Sequence, residues 1–198
     1  MIIEIEGIDG VGKTTQCRML KNWIENRGKR AVLVKDLEAT LFGRQMKSIL
    51  TTDSPRAKET ELFAFLCCKT QLFSEVVEPE LARGSYIICD RGFGSFLTYF
   101  EVLGLKRGML SNLLSIALPK SPEHVTTFLI DLDVPEALRR NLSKPAHSKF
   151  DGMGKQFFEA QRAAFLDLAA SETWTIVDGT QSIESVHSSI TLSLEQSI

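Results

Sequence analysis

Apolar residues recur along this chain in two alternating rhythms. Short, nearly unbroken runs fall at Ile2–Ile5, Ala31–Val34, Tyr86–Cys89, Val125–Leu132 and Trp174–Val177, the pattern of strands buried on both faces. Between them the spacing lengthens to that of helices. Cys17, Leu20 and Ile24 mark a helix that begins near Lys13 and ends at Asn26-Arg27-Gly28. A short helix is expected over 41–50. A long one is expected over 57–82, with Leu62, Phe65, Leu66, Leu72, Phe73 and Val76 along one face and Arg83-Gly84 as its stop. Further helices are expected over 95–103, 106–118, 135–141, 155–170 and 183–194. Strands alternating with helices predict an α/β fold of three layers, α/β/α, around a parallel central sheet of about five strands. No repeat or linker interrupts the pattern, so residues 1–198 read as a single domain. Ligands of such sheets gather at the carboxyl ends of the strands. The polar motifs Lys35-Asp36, Asp90-Arg91 and Asp131–Asp133 all lie just past predicted strand ends.

The first predicted strand runs straight into Gly7-Ile8-Asp9-Gly10-Val11-Gly12-Lys13-Thr14, which fits the phosphate-loop pattern G-x-x-x-x-G-K-S/T between a strand and a helix. Glycines let successive backbone N–H groups converge on a polyphosphate. Lys13 supplies a point charge for the outer phosphates, Thr14 offers a hydroxyl to a phosphate-bound Mg²⁺, and the helix beginning there turns its positive end toward them. Gly7, Asp9, Gly10, Val11, Gly12, Lys13, Thr14 and Thr15 are therefore the expected ATP-binding residues, with Thr14 and Asp90 as candidates for the metal.

Composition narrows the classes further. With 198 residues, 43% hydrophobic and 24% charged, the chain is long enough for one well-buried core. A net charge of −2 argues against a nucleic-acid or anionic-membrane partner. No apolar run is long enough to span a bilayer. Glu4 and Glu6 stand where a signal peptide would be basic, so none is expected. Cys17, Cys67, Cys68 and Cys89 lack C-x-x-C spacing, fall in segments expected in the core and read as inert, reduced thiols; the three histidines have no ligand spacing. A cytoplasmic setting is expected.

Four further features carry candidate chemistry. Asp90-Arg91, at a strand end beside the phosphate loop, can hold Mg²⁺ through water and neutralise the transferring group, or can be a plain surface pair. Lys69 falls on the apolar stripe of the long helix, where an unpaired ammonium is expensive. Either it snorkels out along its stem, or the helix lines a cleft there and Lys69 meets a ligand near Phe65. Residues 142–154, with Lys144, His147 and Lys149 after Arg139-Arg140, read as a lid over phosphates or as an ordinary solvated loop. Asp9, a carboxylate among phosphates, points to Mg²⁺ or to the hydroxyl of a second substrate.

Taken together, these residues resemble the thymidylate kinase family, of the P-loop NTPase type, along most of the chain. Glu6 to Gln16 is similar to that family's phosphate loop; Asp90-Arg91 with Ser95 and Tyr99 resembles its D-R-Y-x-x-S-x-x-A-Y signature. Pro79 to Gly84, Phe157-Phe158-Glu159 with Arg162, and Asp178 to Glu184 fit as well. The resemblance implies transfer of the ATP γ-phosphoryl group to dTMP with Mg²⁺ as cofactor, in a homodimer. It implies that Asp9 contacts the sugar hydroxyl, Phe65 stacks on the base and Lys69 takes the place of an arginine at the base edge. By the same implication Arg91, Ser95 and Tyr99 complete the acceptor site, and Lys13, Asp90, Arg91, Arg140 and Lys144 form the catalytic set. Departures lie on the acceptor and lid sides, none in the phosphate loop. The family's R-E-P-G-G-T loop reads Lys35-Asp36-Leu37-Glu38-Ala39-Thr40, Gly92 replaces the aromatic after Asp90-Arg91, and the lid's D-R-x-E reads Asp151-Gly152-Met153-Gly154. A family member acting on another nucleoside monophosphate, or a nucleotide-binding protein without catalysis, stays open as an alternative. A GTPase-type switch does not, because no N-K-x-D base-reading motif is present.

Overall fold

In the computed structural model, residues 1–119, 125–142 and 153–195 are described. Five parallel strands, β1 (Ile2–Glu6), β2 (Ala31–Lys35), β3 (Tyr86–Asp90), β4 (Val125–Asp131) and β5 (Thr175–Asp178), form one sheet in the order β2-β3-β1-β4-β5. Helices α1 (Lys13–Glu25), α2 (Leu41–Leu50), α3 (Lys58–Leu72), α4 (Glu78–Ala82), α5 (Phe93–Val102), α6 (Arg107–Ala117), α7 (Val134–Leu142), α8 (Lys155–Ser171) and α9 (Ile183–Glu195) complete the described chain. This is the expected α/β/α arrangement. Of the expected lid, residues 143–152 lie outside the described residues, Lys144 among them.

Central β1 explains why the site forms where it does. Ile5 lies in register with Asp90 of β3 and Glu6 with Leu129 of β4, so the loop leaving β1 emerges between two other strand ends. Alternation along β1 sends side chains to opposite layers. Ile3 and Ile5 join the apolar cluster of Leu20, Ile24, Ile190 and Leu194, on the α1 and α9 side. Ile2 joins Leu62, Leu66, Phe100 and Leu110, on the side of α3, α5 and α6. Glu4 and Glu6 share the parity of Ile2 and meet the start of α5. Their carboxylates accept from the first N–H groups of that helix: Glu4 from Phe93, and Glu6 from Gly92 and Ser95. A helix N-terminus carries unsatisfied N–H groups and a partial positive charge, which makes it a favourable seat for a carboxylate.

Two boundaries differ from expectation for physical reasons. The stretch expected as one helix over 57–82 contains a π turn at Phe73–Val77, with the Glu78 N–H bonded to the Phe73 carbonyl. Pro79 lacks an N–H and its ring crowds the carbonyl four residues back, which the wider turn accommodates. Helix α5 begins at Phe93 rather than 95, because the groups that cap it come from β1 and not from its own sequence. Among the described residues no helix is long and apolar enough to cross a membrane.

Candidate active site

The loop between β1 and α1 is shaped by contact with α7. A Cβ on Gly10, whose φ is +93°, would lie 2.0 Å from the Ala137 carbonyl oxygen. Gly12 is the cap of α1 and no side chain covers the helix's first N–H groups. Lys13 follows, buried, its Nζ donating to the carbonyls of Gly7 at 2.9 Å and Ile8 at 2.7 Å. Burial first, and then neighbouring Arg91, lower its pKa to about 8. The Thr14 hydroxyl donates to Asp90 Oδ2 at 2.6 Å, joining the phosphate loop to the end of β3. Two hard oxygen donors at the foot of a phosphate loop fit Mg²⁺, which takes one or two protein oxygens and completes its shell with phosphate and water.

Arg91 follows Asp90 with a φ of 78°, a strained conformation for a non-glycine residue. What holds it is a chain of polar contacts. Its guanidinium donates to Asp9 at 2.5 Å and to the Ser95 hydroxyl at 3.0 Å, and Ser95 donates in turn to Glu6. Burial works against the charge on Arg91, but Asp9, Glu6 and Asp90 outweigh it and its pKa is raised. Asp9 thus faces a cation of its own chain. Ser95 lines the cleft, while its hydroxyl is taken up in fixing Arg91.

All of this opens onto one cleft of about 1000 Å³, which continues from Lys13 and Thr15 to an aromatic end. There Phe65 lies 6.1 Å from Tyr99, and Phe157 of α8 meets Tyr99 edge-on at 5.8 Å. The Tyr99 hydroxyl donates to buried Glu61, which also pairs with Arg56, so the carboxylate that anchors the ring is itself held in place. Burial and Glu61 push the Tyr99 pKa up. Lys47, Glu61, Phe157 and Gln161 had no role in the sequence reading. Phe157 stood in a recognised phrase, but the others sit on helices with nothing in their spacing to single them out.

Lys69 requires a correction. It neither snorkels nor faces the cleft: it is 2% exposed, and its Nζ donates to Asp36 at 2.6 Å and to the Gly92 carbonyl at 3.1 Å. Burial opposes its charge, Asp36 more than compensates, and the pKa rises. Gly92 belongs to the same cluster. A Cβ there would stand 2.0 Å from the Glu4 carboxyl carbon, so a buried carboxyl group occupies the space an aromatic side chain would need. Burial, and then Glu6, raise the Glu4 pKa to about 8. Three departures from the family pattern, at 36, 69 and 92, are therefore one packed unit with Glu4.

Three other expectations change. Arg140 does not line the cleft; it donates to Glu136 at 2.8 Å and to the Gly179 carbonyl at 3.1 Å, tying α7 to the loop after β5. Cys67 is exposed, whereas Cys17, Cys68 and Cys89 are buried. Val11, expected at the nucleotide, is buried in the apolar cluster on the α1 side.

Comparison with known proteins agrees along the whole chain. A family model described as Thymidylate kinase matches residues 5–190. The probable thymidylate kinase of Thermococcus kodakarensis is 33% identical, the match covering 98% of this chain and 97% of the relative. The thymidylate kinase of Thermosipho melanesiensis is 31% identical over 96% and 95% of the two chains. Among solved structures, thymidylate kinase from Ehrlichia chaffeensis matches with a TM-score of 0.79 at 24% identity over 98% of each chain, a likeness of fold.

Proposed function

The chain belongs to the thymidylate kinase family, and from that membership we propose that it transfers the γ-phosphoryl group of ATP to dTMP, giving dTDP and ADP. The observation that carries this reading is the continuity of a single cleft. It runs from the phosphate loop at Lys13 and Thr14, past Asp90 and Arg91, to the aromatic end at Phe65 and Tyr99.

In this reading the N–H groups of the loop and the open start of α1 receive the ATP phosphates. Lys13, now hydrogen-bonded to the loop's own carbonyls, sits where an ammonium would meet the outer phosphates. Thr14 and Asp90 would hold Mg²⁺, which draws charge from the phosphate oxygens when bound. Arg91 stands between donor and acceptor ends with its guanidinium already positioned by Asp9 and Ser95. Charge developing on the transferring group meets a fixed cation that needs little reorganisation, which is where electrostatic catalysis gains most. Phe65, Tyr99 and Phe157 offer ring faces and edges to a planar base. Covalent chemistry by the protein is not required; orientation and charge do the work. A homodimer in the cytoplasm belongs to the same reading, and sedimentation of the purified chain tests the assembly.

Steady-state turnover of a panel of nucleoside monophosphates with MgATP tests the whole. The expected outcome is that dTMP has the highest kcat/KM; failure to turn over any monophosphate overturns the kinase reading. One observation favours a second reading, a kinase of this family with a different preferred acceptor. The cation expected at the base edge, Lys69, is engaged with Asp36 and Gly92 and does not line the cleft. Another monophosphate ranking well above dTMP would select it.

A further inference from the structure

Helix α8 turns one face into the protein, and that face carries a polar misfit. Phe158, Phe165, Leu168 and Ala169 are buried there at helical spacing, and Gln161 is buried with them at 5% exposed. An amide on an apolar face needs a hydrogen-bond partner. Among the described residues the Gln161 carboxamide has none, and Gln161 lines the cleft. Phe157, one turn earlier on α8, is the ring that meets Tyr99 edge-on at 5.8 Å, which sets Gln161 one turn from the aromatic end. Other polar side chains around that end are already engaged. The Tyr99 hydroxyl donates to Glu61, Glu61 pairs with Arg56, Ser95 donates to Glu6, and Lys69 is held by Asp36 and Gly92.

Resting on the kinase reading above, we infer that Gln161 hydrogen-bonds the edge of the acceptor's base, the task for which Lys69 is not available. A phosphate would call for a cation, and ring faces alone would leave a buried amide without purpose. The uncharged polar edge of a base suits a neutral carboxamide. That group offers a donor and an acceptor side by side. A pyrimidine edge offers the complement: a keto oxygen beside a ring N–H in thymine and uracil, an amino group beside a bare ring nitrogen in cytosine. The aromatic side chains hold the plane of the base, and Gln161 fixes its rotation within that plane. A lysine ammonium only donates, so it would favour the keto edge. The carboxamide can turn over and meet either edge with two hydrogen bonds. Pyrimidine monophosphates with a keto or an amino edge are therefore both ligands of this site.

The test measures binding by calorimetry, separately from turnover, in the parent and in Gln161→Met, which keeps the side chain's length and removes the amide. The probes are dTMP, dUMP, dCMP, deoxyribose phosphate, and dTMP methylated at the ring nitrogen of the edge. In the parent, dUMP and dCMP should bind within about tenfold of each other, and the methylated dTMP about tenfold more weakly than dTMP. Q161M should weaken dTMP, dUMP and dCMP by about tenfold each, the size of two neutral hydrogen bonds. It should leave deoxyribose phosphate and ATP unchanged and shrink the penalty for methylation, a pairwise coupling that altered packing alone would not produce. Unchanged dTMP binding in Q161M, an equal loss on deoxyribose phosphate, an undiminished methylation penalty, or dUMP and dCMP more than tenfold apart in the parent overturns the proposal. Loss of turnover on every acceptor, with this binding pattern intact, would instead count against the kinase reading alone.

Discussion

Lys13 shows how burial sets the working range of a single side chain. An ordinary lysine stays charged to about pH 10, but burial and Arg91 bring this one down to about 8. Above that pH the free protein loses the charge proposed to meet the outer phosphates. The kcat/KM for ATP should therefore fall on the alkaline side with an apparent pKa near 8, since that parameter reports the free enzyme. A bound polyphosphate favours the ammonium, so kcat should hold to higher pH. Rates at saturating acceptor across pH 6 to about 10 check this, and a kcat/KM flat to the alkaline end would contradict it. Lys69 carries the complementary lesson. Its misfit on an apolar stripe was plain in the sequence, but its partner Asp36 lies in a different element, 33 residues away. Strand pairing brings them together: β2 and β3 run in register, with Lys35 beside Asp90, which sets the Asp36 turn next to Gly92. Lys69→Met leaves Asp36 near two buried glutamates without its cation. Breaking a buried pair in this way should cost about 3–5 kcal/mol, read from urea denaturation, with the larger effect on stability and the smaller on acceptor KM.

At the scale of elements, helix α5 depends on a strand for its beginning. Nothing in its own sequence caps it; Glu4 and Glu6 of β1 do. This explains why sequence periodicity placed its start two residues late while finding α2 at its observed bounds, where Thr40 is a local cap. It explains Gly92 as well. A methyl group added there would meet the Glu4 carboxyl group, so Gly92→Ala should destabilise by roughly 1–3 kcal/mol, the usual range for overpacking a full site. Replacing Glu4 by valine opens that space. In a double-mutant cycle the Gly92→Ala penalty should therefore be much smaller in the Glu4→Val background, a coupling of at least about 0.5 kcal/mol between residues in contact. Additive penalties in chemical denaturation would show that the two side chains do not compete. The same reasoning separates the readable half of the site from the unreadable half. The phosphate loop is contiguous, so its spacing alone declares it. The rest of the cleft wall is assembled from β2, α2, α3, α5 and α8, and residues such as Lys47 and Phe157 acquire their place only when those elements meet.

For the molecule as a whole, strand–helix alternation foretold the parallel sheet and its layers, because runs buried on both faces admit few other arrangements. It gave no reason for a glutamate in the middle of the central strand, and that residue governs how global stability responds to pH. Glu4 has its pKa raised to about 8 by burial, then by Glu6, against the pull of Lys69 and the Phe93 N–H, with Asp36 adding to the rise. In the unfolded chain it would titrate near 4.5. Between those values the folded state holds a proton that the unfolded state has released, so stability falls as pH rises through that window and levels off above it. Lys13 acts in the opposite sense above pH 8, because its folded pKa is depressed and the unfolded chain binds the extra proton there. The Glu4 contribution is therefore isolated as the difference between the parent protein and Glu4→Gln, in which Lys13 cancels. That difference should be near zero at about pH 5 and should favour the variant increasingly toward about pH 8; even a two-unit shift corresponds to about 2.7 kcal/mol. Urea denaturation at intervals across the window measures it. A constant difference would mean that Glu4 is ionised throughout and that Lys69, although bonded to Asp36, neutralises it in place.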